Sequence, residues 1–184
     1  MTETRSIAYP GVILRPAGDR DHPFLYQVYV ATRAEEMGLL TGWSAAQKEE
    51  LLHVQFQAQC RYYRSSYPNA RYDVIVKDGE AIGRLYVARM PREIRIIDIA
   101  LLPQHRNRGI GTALVGDILD EAARVTKFVS LQVEAANPAK RLYDRMGFVV
   151  AGEVSIYQLL YWIPASLTPV FADDAPTSRR DAVR

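Results

Sequence analysis

The sequence predicts a single α/β domain built on a mixed sheet. Three observations predict it. The apolar spacing switches repeatedly between a helical period and a strand period, as alternating helices and strands require. Gly, Pro and Asn-Pro signals fall between the periodic segments. At 184 residues with 48% hydrophobic and 24% charged, the chain is one domain's length and can bury a core without staples.

In order, residues 1–10 carry no pattern. Gly11 to Arg15 reads as a short strand closed by Pro16 and Gly18. Apolar residues at helical spacing, Leu25, Val28 and Tyr29 with Ala34 or Met37, predict a helix over 24–37. A loop spans Gly38 to Trp43. Ser44 followed by Gln47 matches a capping box, in which the two side chains satisfy backbone donors reciprocally. The helix it opens carries Leu52, Phe56, Cys60 and Tyr63 on one stripe and stops before Pro68.

The period then changes. Tyr72 to Val76 reads as a strand, Asp78-Gly79 as a hairpin turn and Ala81 to Met90 as the return strand. Pro91 breaks it, and the isoleucine-rich run Ile94–Leu102 follows, ended by Pro103. Leu114, Val115, Ile118, Leu119 and Ala122 mark an amphipathic helix, and Phe128 to Val133 another strand. Asn137-Pro138 reads as an N-cap with proline at the first helical position. That short helix ends near Met146-Gly147. Phe148–Ala151 and Ile156–Trp162 read as closing strands joined through Gly152. The domain is expected to cover 1–163. The segment 164–184, rich in Pro, Ala, Asp and Arg, is expected to be a mobile tail.

The formal net charge of +2 gives no reason to expect a nucleic acid or an anionic membrane as partner. No segment approaches the ~20 apolar residues of a membrane span, and no leader pattern opens the chain, so the expectation is a soluble, cytoplasmic protein. Cys60 is the single cysteine and reads as a small buried or half-buried thiol. His22, His53 and His105 show no metal-ligand spacing, and no metal is expected.

One junction carries chemistry. Arg106-Asn107-Arg108-Gly109-Ile110-Gly111-Thr112 lies between a buried strand and an amphipathic helix. The first amides of a helix lack internal partners, and the helix dipole adds positive potential there. Gly109 and Gly111 let a phosphate approach the backbone, and Arg106 and Arg108 add charge. Read without a ligand, the same loop is a solvated turn with two glycines. It is neither a Walker loop, which needs Gly-Lys-Ser/Thr, nor a dinucleotide fingerprint, whose third glycine is here Leu114.

After the next strand comes Asn137-Pro-Ala139, then Leu142-Tyr143 and Gly147-Phe148. With Arg106-x-x-Gly109-x-Gly111 one helix and one strand earlier, the chain resembles the GNAT superfamily of acetyl-CoA-dependent N-acetyltransferases. The match is firm over about 80–163 and extends toward residue 11. The resemblance implies a mostly antiparallel mixed sheet flanked by helices, with a splayed parallel strand pair holding the cofactor. It implies that Ile99, Ala100 and Leu101 bond the pantetheine arm and that the Arg106–Thr112 amides hold the pyrophosphate of acetyl-CoA, the co-substrate. Asn137 would contact the cofactor arm, and Tyr143 would protonate the departing thiolate.

The chemistry is compatible with those roles. An amine attacks a thioester, charge develops on oxygen, and a positioned phenol can supply the thiolate's proton. Without its motif, Tyr143 would read as a core aromatic. Candidate bases for the amine's proton are Asp98, which interrupts the isoleucine run and is expected partly buried with a raised pKa, and Glu134, at a strand end. Where some family members carry a strand glutamate, this chain has Arg95, so a water chain is an equal alternative. Glu35, Glu36, Trp43, Tyr62, Tyr63 and Tyr67 could line an acceptor site by charge and cation–π contact, or simply be solvated acids and sheet-packed tyrosines.

The function expected is acetylation of a primary amine, on a small molecule or a peptide, by a monomer or homodimer. The runner-up is a non-catalytic acyl-CoA-binding sensor or interaction module of the same fold. A third reading is an α/β binding protein unrelated to CoA.

Overall fold

The computed structural model describes residues 3–167. Its strands form one eight-stranded, mostly antiparallel sheet in the order β1-β2-β3-β4-β5-β6-β8-β7, with one parallel pair, β5 and β6. The strands are β1 (Arg5–Ser6), β2 (Val12–Pro16), β3 (Arg71–Lys77), β4 (Glu80–Arg89), β5 (Glu93–Leu101), β6 (Phe128–Glu134), β7 (Val149–Val154) and β8 (Tyr157–Trp162). The helices are α1 (His22–Thr32), α2 (Ala34–Leu39), α3 (Ala45–Ser66), α4 (Ile110–Arg124) and α5 (Lys140–Arg145). The described residues part into two compact units, one of the chain up to residue 88 together with 97–114, the other of 89–96 and the chain from 115 onward.

In the first unit, β2 pairs antiparallel with β3, and β3 with β4. The apolar stripes of α1 and α3 bury Tyr29, Leu52 and Phe56 together, while Val28 packs with Ala100 and Leu102 of the β5 end. Fully removing side chains of this size from water stabilises by roughly 1.5–3 kcal/mol each. The capping box forms: Ser44 Oγ accepts from the Gln47 amide at 3.3 Å, and Gln47 Oε1 accepts from the Ser44 amide at 2.9 Å. Asp78 and Gly79 make the β3–β4 turn with φ of 50° and 87°, the mirror-image turn that a two-residue hairpin favours.

In the second unit, β5 pairs parallel with β6 from Glu93↔Phe128 to Ile96↔Leu131, and the register ends there although both strands run on. β6 continues its antiparallel pairing with β8 as far as Glu134↔Tyr157. Val115, Ile118, Leu119 and Ala122, the apolar stripe of α4, are buried.

Four sequence expectations are corrected. The helix expected over 24–37 is two helices. Thr32 Oγ1 turns back to the Tyr29 carbonyl at 2.6 Å, and Arg33 takes φ −106°, ψ 5°, so the helix stops and restarts. The region before Gly11, read as patternless, contributes β1. Gly152 does not join the last strands. It lies inside β7 at a register shift, and the turn falls at Ser155, φ 58°. Asn137 does not cap α5 directly, because the helix begins at Lys140. Of the expected tail, Ala165–Leu167 forms a 3₁₀ turn; residues 168–184 lie outside the described residues.

Candidate active site

In the first unit the loop before α4 is shaped by backbone conformation. A 3₁₀ turn, Pro103–His105, leads to Arg106 in extended conformation. Asn107 and Gly109 then take left-handed φ of 58° and 81°. Asparagine tolerates that region better than most residues, and glycine adopts it without strain. Within the described residues, the amides from Asn107 to Thr112 find no backbone acceptor, and the first helical closure is Ala113 N–H to the Gly109 carbonyl at 3.0 Å. Partnerless amides at the head of a 15-residue helix are an anion-binding arrangement. Arg108 is exposed. Arg106 instead ties the loop down: Nε donates to the Leu101 carbonyl at 2.9 Å and Nη2 to that of Ala31 at 3.2 Å. Tyr9, which sequence reading passed over, donates its hydroxyl to the Arg108 carbonyl at 3.0 Å.

The β5 end, Ile99–Leu101, lies against β4 at Gly83. A Cβ at Gly83 would sit 2.3 Å from the Ala100 oxygen, so only glycine lets the two backbones approach this closely. Ile99 and Leu101 are half-buried and Ala100 buried.

Asp98 meets the expectation of burial, its side chain keeping 12% of its surface exposed. What the sequence reading missed is its company. Arg84 of β4, 2% exposed, forms an ion pair with it, Nη2 to Oδ2 at 2.8 Å. Tyr63 of α3 donates to the same oxygen at 3.3 Å. Arg84 also reaches Gln59 Oε1 at 3.2 Å and lies 5.6 Å from the centre of the Tyr86 ring. Burial opposes the charge of Arg84, but Asp98, followed by the two tyrosines, outweighs it and holds the guanidinium protonated above its usual range. Burial first, then Asp98, pushes the Tyr63 phenol well above its ordinary value. Burial does the same to Tyr86 against the opposing field of Arg84. Both phenols therefore remain neutral donors. Burial also pushes up the thiol of Cys60, which is half-buried as expected, and a protonated thiol is a poor nucleophile.

Of the other acceptor-side residues, Glu35, Glu36, Trp43 and Tyr62 are exposed, and Tyr67 is half-buried. Tyr63 joins a candidate base, Asp98. His22 meets Phe56 edge-on, and His53 stacks on Tyr26. Among the described residues, no three His, Cys, Asp or Glu side chains gather as a metal site, and no helix is long and apolar enough to cross a membrane.

In the second unit, Glu134 ends β6 and accepts from the Tyr157 hydroxyl at 3.2 Å. Asn137 Oδ1 accepts from the Ala139 amide at 2.9 Å, folding the entry to α5 into a side-chain-closed turn. Tyr143 is buried, its ring edge-on to Phe148 at 5.6 Å. Arg95 donates to Ser130 Oγ at 3.3 Å and lies 3.7 Å from Glu93. It is part of the bracing of the parallel pair.

The Acetyltransferase (GNAT) family model matches residues 39–148, more than half of the chain. No curated protein matches the chain in sequence. Solved structures share its fold. The PaiA N-acetyltransferase of Thermoplasma acidophilum, in complex with coenzyme A, superposes with a TM-score of 0.61 at 15% identity, covering 83% of this chain and 98% of that one. An acetyltransferase of Salmonella typhimurium that modifies the N-terminal serine of ribosomal protein L7/L12 gives 0.60 at 19%, covering 88% and 99%. Ard1 of Thermoplasma volcanium gives 0.57 at 20%, covering 84% and 98%. At these identities the likeness is one of fold.

Proposed function

The chain belongs to the GNAT acetyltransferase family, and on that premise we propose that it moves an acetyl group from acetyl-CoA to a primary amine by direct attack. The observation that carries the reading is the loop at the head of α4. Its amides from Asn107 to Thr112 lack backbone acceptors, and Asn107 and Gly109 hold the left-handed conformation that turns a backbone into an anion-binding concavity. Arg108 is exposed beside them. Phosphates of acetyl-CoA fit that donor set. Neighbours of the same fold solved with coenzyme A support the choice of ligand.

The roles are assigned unit by unit. In the first, the Arg106–Thr112 loop takes the pyrophosphate and Ile99–Leu101 the pantetheine arm, with Arg106 acting as the tether of the loop. In the second, Asn137 contacts the arm and Tyr143 is the acid. The amine nitrogen forms the new bond to the acetyl carbon, the carbon–sulfur bond breaks, the thiolate takes the Tyr143 proton, and the phenolate regains a proton from solvent. Of the two carboxylates proposed for the amine's proton, Asp98 holds the Arg84 guanidinium and the Tyr63 hydroxyl on Oδ2. Glu134 accepts from the Tyr157 hydroxyl.

The test starts with binding. At ~100 times its dissociation constant, acetyl-CoA stabilises the folded chain by about 2.7 kcal/mol, a clear rise in melting temperature. Primary amines then release CoA thiol. Tyr143→Phe keeps the ring against Phe148 and lowers turnover by about 10²–10⁴-fold with acetyl-CoA affinity little changed. An unmoved melting temperature at saturating acetyl-CoA removes the reading. Binding without thiol release, across the amine panel, leaves the non-catalytic module.

A further inference from the structure

The Arg84–Asp98 pair is an unusual use of a buried arginine. Arg84 lies in a strand whose neighbours from Ile82 to Ala88 are buried, and its Nε is buried without a hydrogen-bond partner. A buried donor left unmade is unfavourable. Replacing a buried ion pair by well-packed apolar residues is often neutral or stabilising. Stability alone therefore does not account for the arrangement.

Its geometry is directional. Arg84 Nη2 and the Tyr63 hydroxyl both converge on Oδ2 of Asp98. Gln59 Oε1 accepts from the same Nη2 at 3.2 Å, and the Leu25 carbonyl accepts from Nη1 at 3.5 Å, which fixes the guanidinium in place. Among the described residues no protein donor reaches the other oxygen, Oδ1, and the side chain as a whole keeps 12% of its surface open. One oxygen is thus fixed and the other left available.

We propose that Arg84 is a positioning residue for acetyl transfer, fixing the Asp98 carboxylate through Oδ2 so that Oδ1 takes the proton of the acceptor amine. This rests on the acetyl-transfer reading above. Arg84 itself touches neither substrate nor cofactor. The proton passes from the amine nitrogen to Oδ1 as the nitrogen–carbon bond forms, and then to solvent. The charged and titratable groups around Asp98 are Arg84 and Tyr86 from β4, and Tyr63 and Cys60 from α3. Arg64 and Arg61 of α3 also act on Cys60, and Arg64 on Tyr86, but Arg84 is the cation that pairs with the carboxylate, so its removal changes the field at Asp98 most.

The experiment is a set of pH profiles of kcat/KM, read as CoA release with an amine the wild type acetylates, for Arg84→Met, Arg84→Lys and Tyr63→Phe. Acetyl-CoA affinity is measured by calorimetry on each. Removing the guanidinium takes a positive charge away from the site that accepts the amine's proton, so the acid limb of the activity profile moves to higher pH. For Arg84→Met we expect a shift of about one unit or more and a loss in kcat/KM of about 10–100-fold. Acetyl-CoA affinity should stay within about threefold, since the positioning role leaves the phosphate contacts intact. Arg84→Lys keeps the charge and returns the limb to its wild-type position. Tyr63→Phe removes the other donor, moves the limb the same way by less, and serves if Arg84→Met does not fold. An active wild type whose acid limb is unmoved in both Arg84→Met and Tyr63→Phe overturns the positioning role alone. A wild type that binds acetyl-CoA but releases no CoA with any amine overturns acetyl transfer, and the role with it.

Discussion

In the loop from Arg106 to Thr112 the groups on offer are backbone amides, presented by two left-handed residues at the head of one helix. In the cluster around Arg84 they are side chains brought together from α3, β4 and β5. The loop is local, open to solvent and positively polarised. The cluster is non-local, buried and internally neutralised. A local site made of backbone tolerates changes in its side chains and fails when its torsions are forced. A buried side-chain site fails when either charge is removed.

The sharpest way to break that contrast is to unpair the cluster. Asp98→Ala leaves the Arg84 guanidinium, 2% exposed, without its counter-charge. Breaking a buried pair from one side costs about 3–5 kcal/mol. Urea melts should show it, whereas Arg108→Ala in the exposed loop should stay within about 0.5 kcal/mol of wild type. Equal losses for the two variants would erase the distinction.

A smaller effect is expected where the loop's torsions are forced. Gly109→Ala must hold a Cβ at φ 81°, and left-handed backbone costs an ordinary residue roughly 1–2 kcal/mol. The open space around that Cβ, whose nearest neighbour is Tyr9 at 3.8 Å, leaves torsion rather than collision as the cause. Because ~1.4 kcal/mol is a factor of ten, a calorimetric titration should find acetyl-CoA bound about tenfold more weakly or worse. Unchanged affinity would move the phosphate site elsewhere.

The smallest effect tests whether a side chain matters to the loop at all. Tyr9→Phe removes one hydrogen bond to the Arg108 carbonyl, worth about 0.5–1.5 kcal/mol. A loss of a few-fold in acetyl-CoA affinity, with turnover at saturation intact, is the expected result. A loss of turnover at saturating acetyl-CoA would mean that Tyr9 does more than brace the loop.

The same division explains what could be read from the sequence. The capping box at Ser44 and Gln47, the Asp78-Gly79 turn and the loop ahead of α4 are written in residues a few positions apart, and each forms as expected. The membership signal was local too, because Asn137-Pro-Ala139 and Arg106-x-x-Gly109-x-Gly111 are contiguous motifs. Asp98 stood out as a charge in an isoleucine run. Its partner was also visible as a charge in the run from Ile82 to Ala88, but joining them required the β4–β5 neighbourhood. Two opposite charges interrupting neighbouring apolar strands are the signal that could have found the pair. Arg106 shows the opposite case. Its motif suggested a phosphate ligand, and nothing local indicated the carbonyls of Leu101 and Ala31, the latter 75 residues away. The split between α1 and α2 depends on the Thr32 hydroxyl choosing the backbone of its own helix, a preference that helical periodicity does not register.

Direct transfer is the central claim, and product stoichiometry with the fate of the acetyl group tests it most directly. Incubate the full chain with acetyl-CoA and a panel of primary amines, and follow by mass spectrometry the amine, the CoA and the intact protein over time. Acetylated amine should appear one for one with free CoA. The protein should carry no acetyl group before the amine is added, because no covalent enzyme intermediate is required and the Cys60 thiol is held protonated by burial. Acetyl accumulating on the protein and passing to the amine in a second step, or no acetylated amine from any member of the panel, would contradict the account.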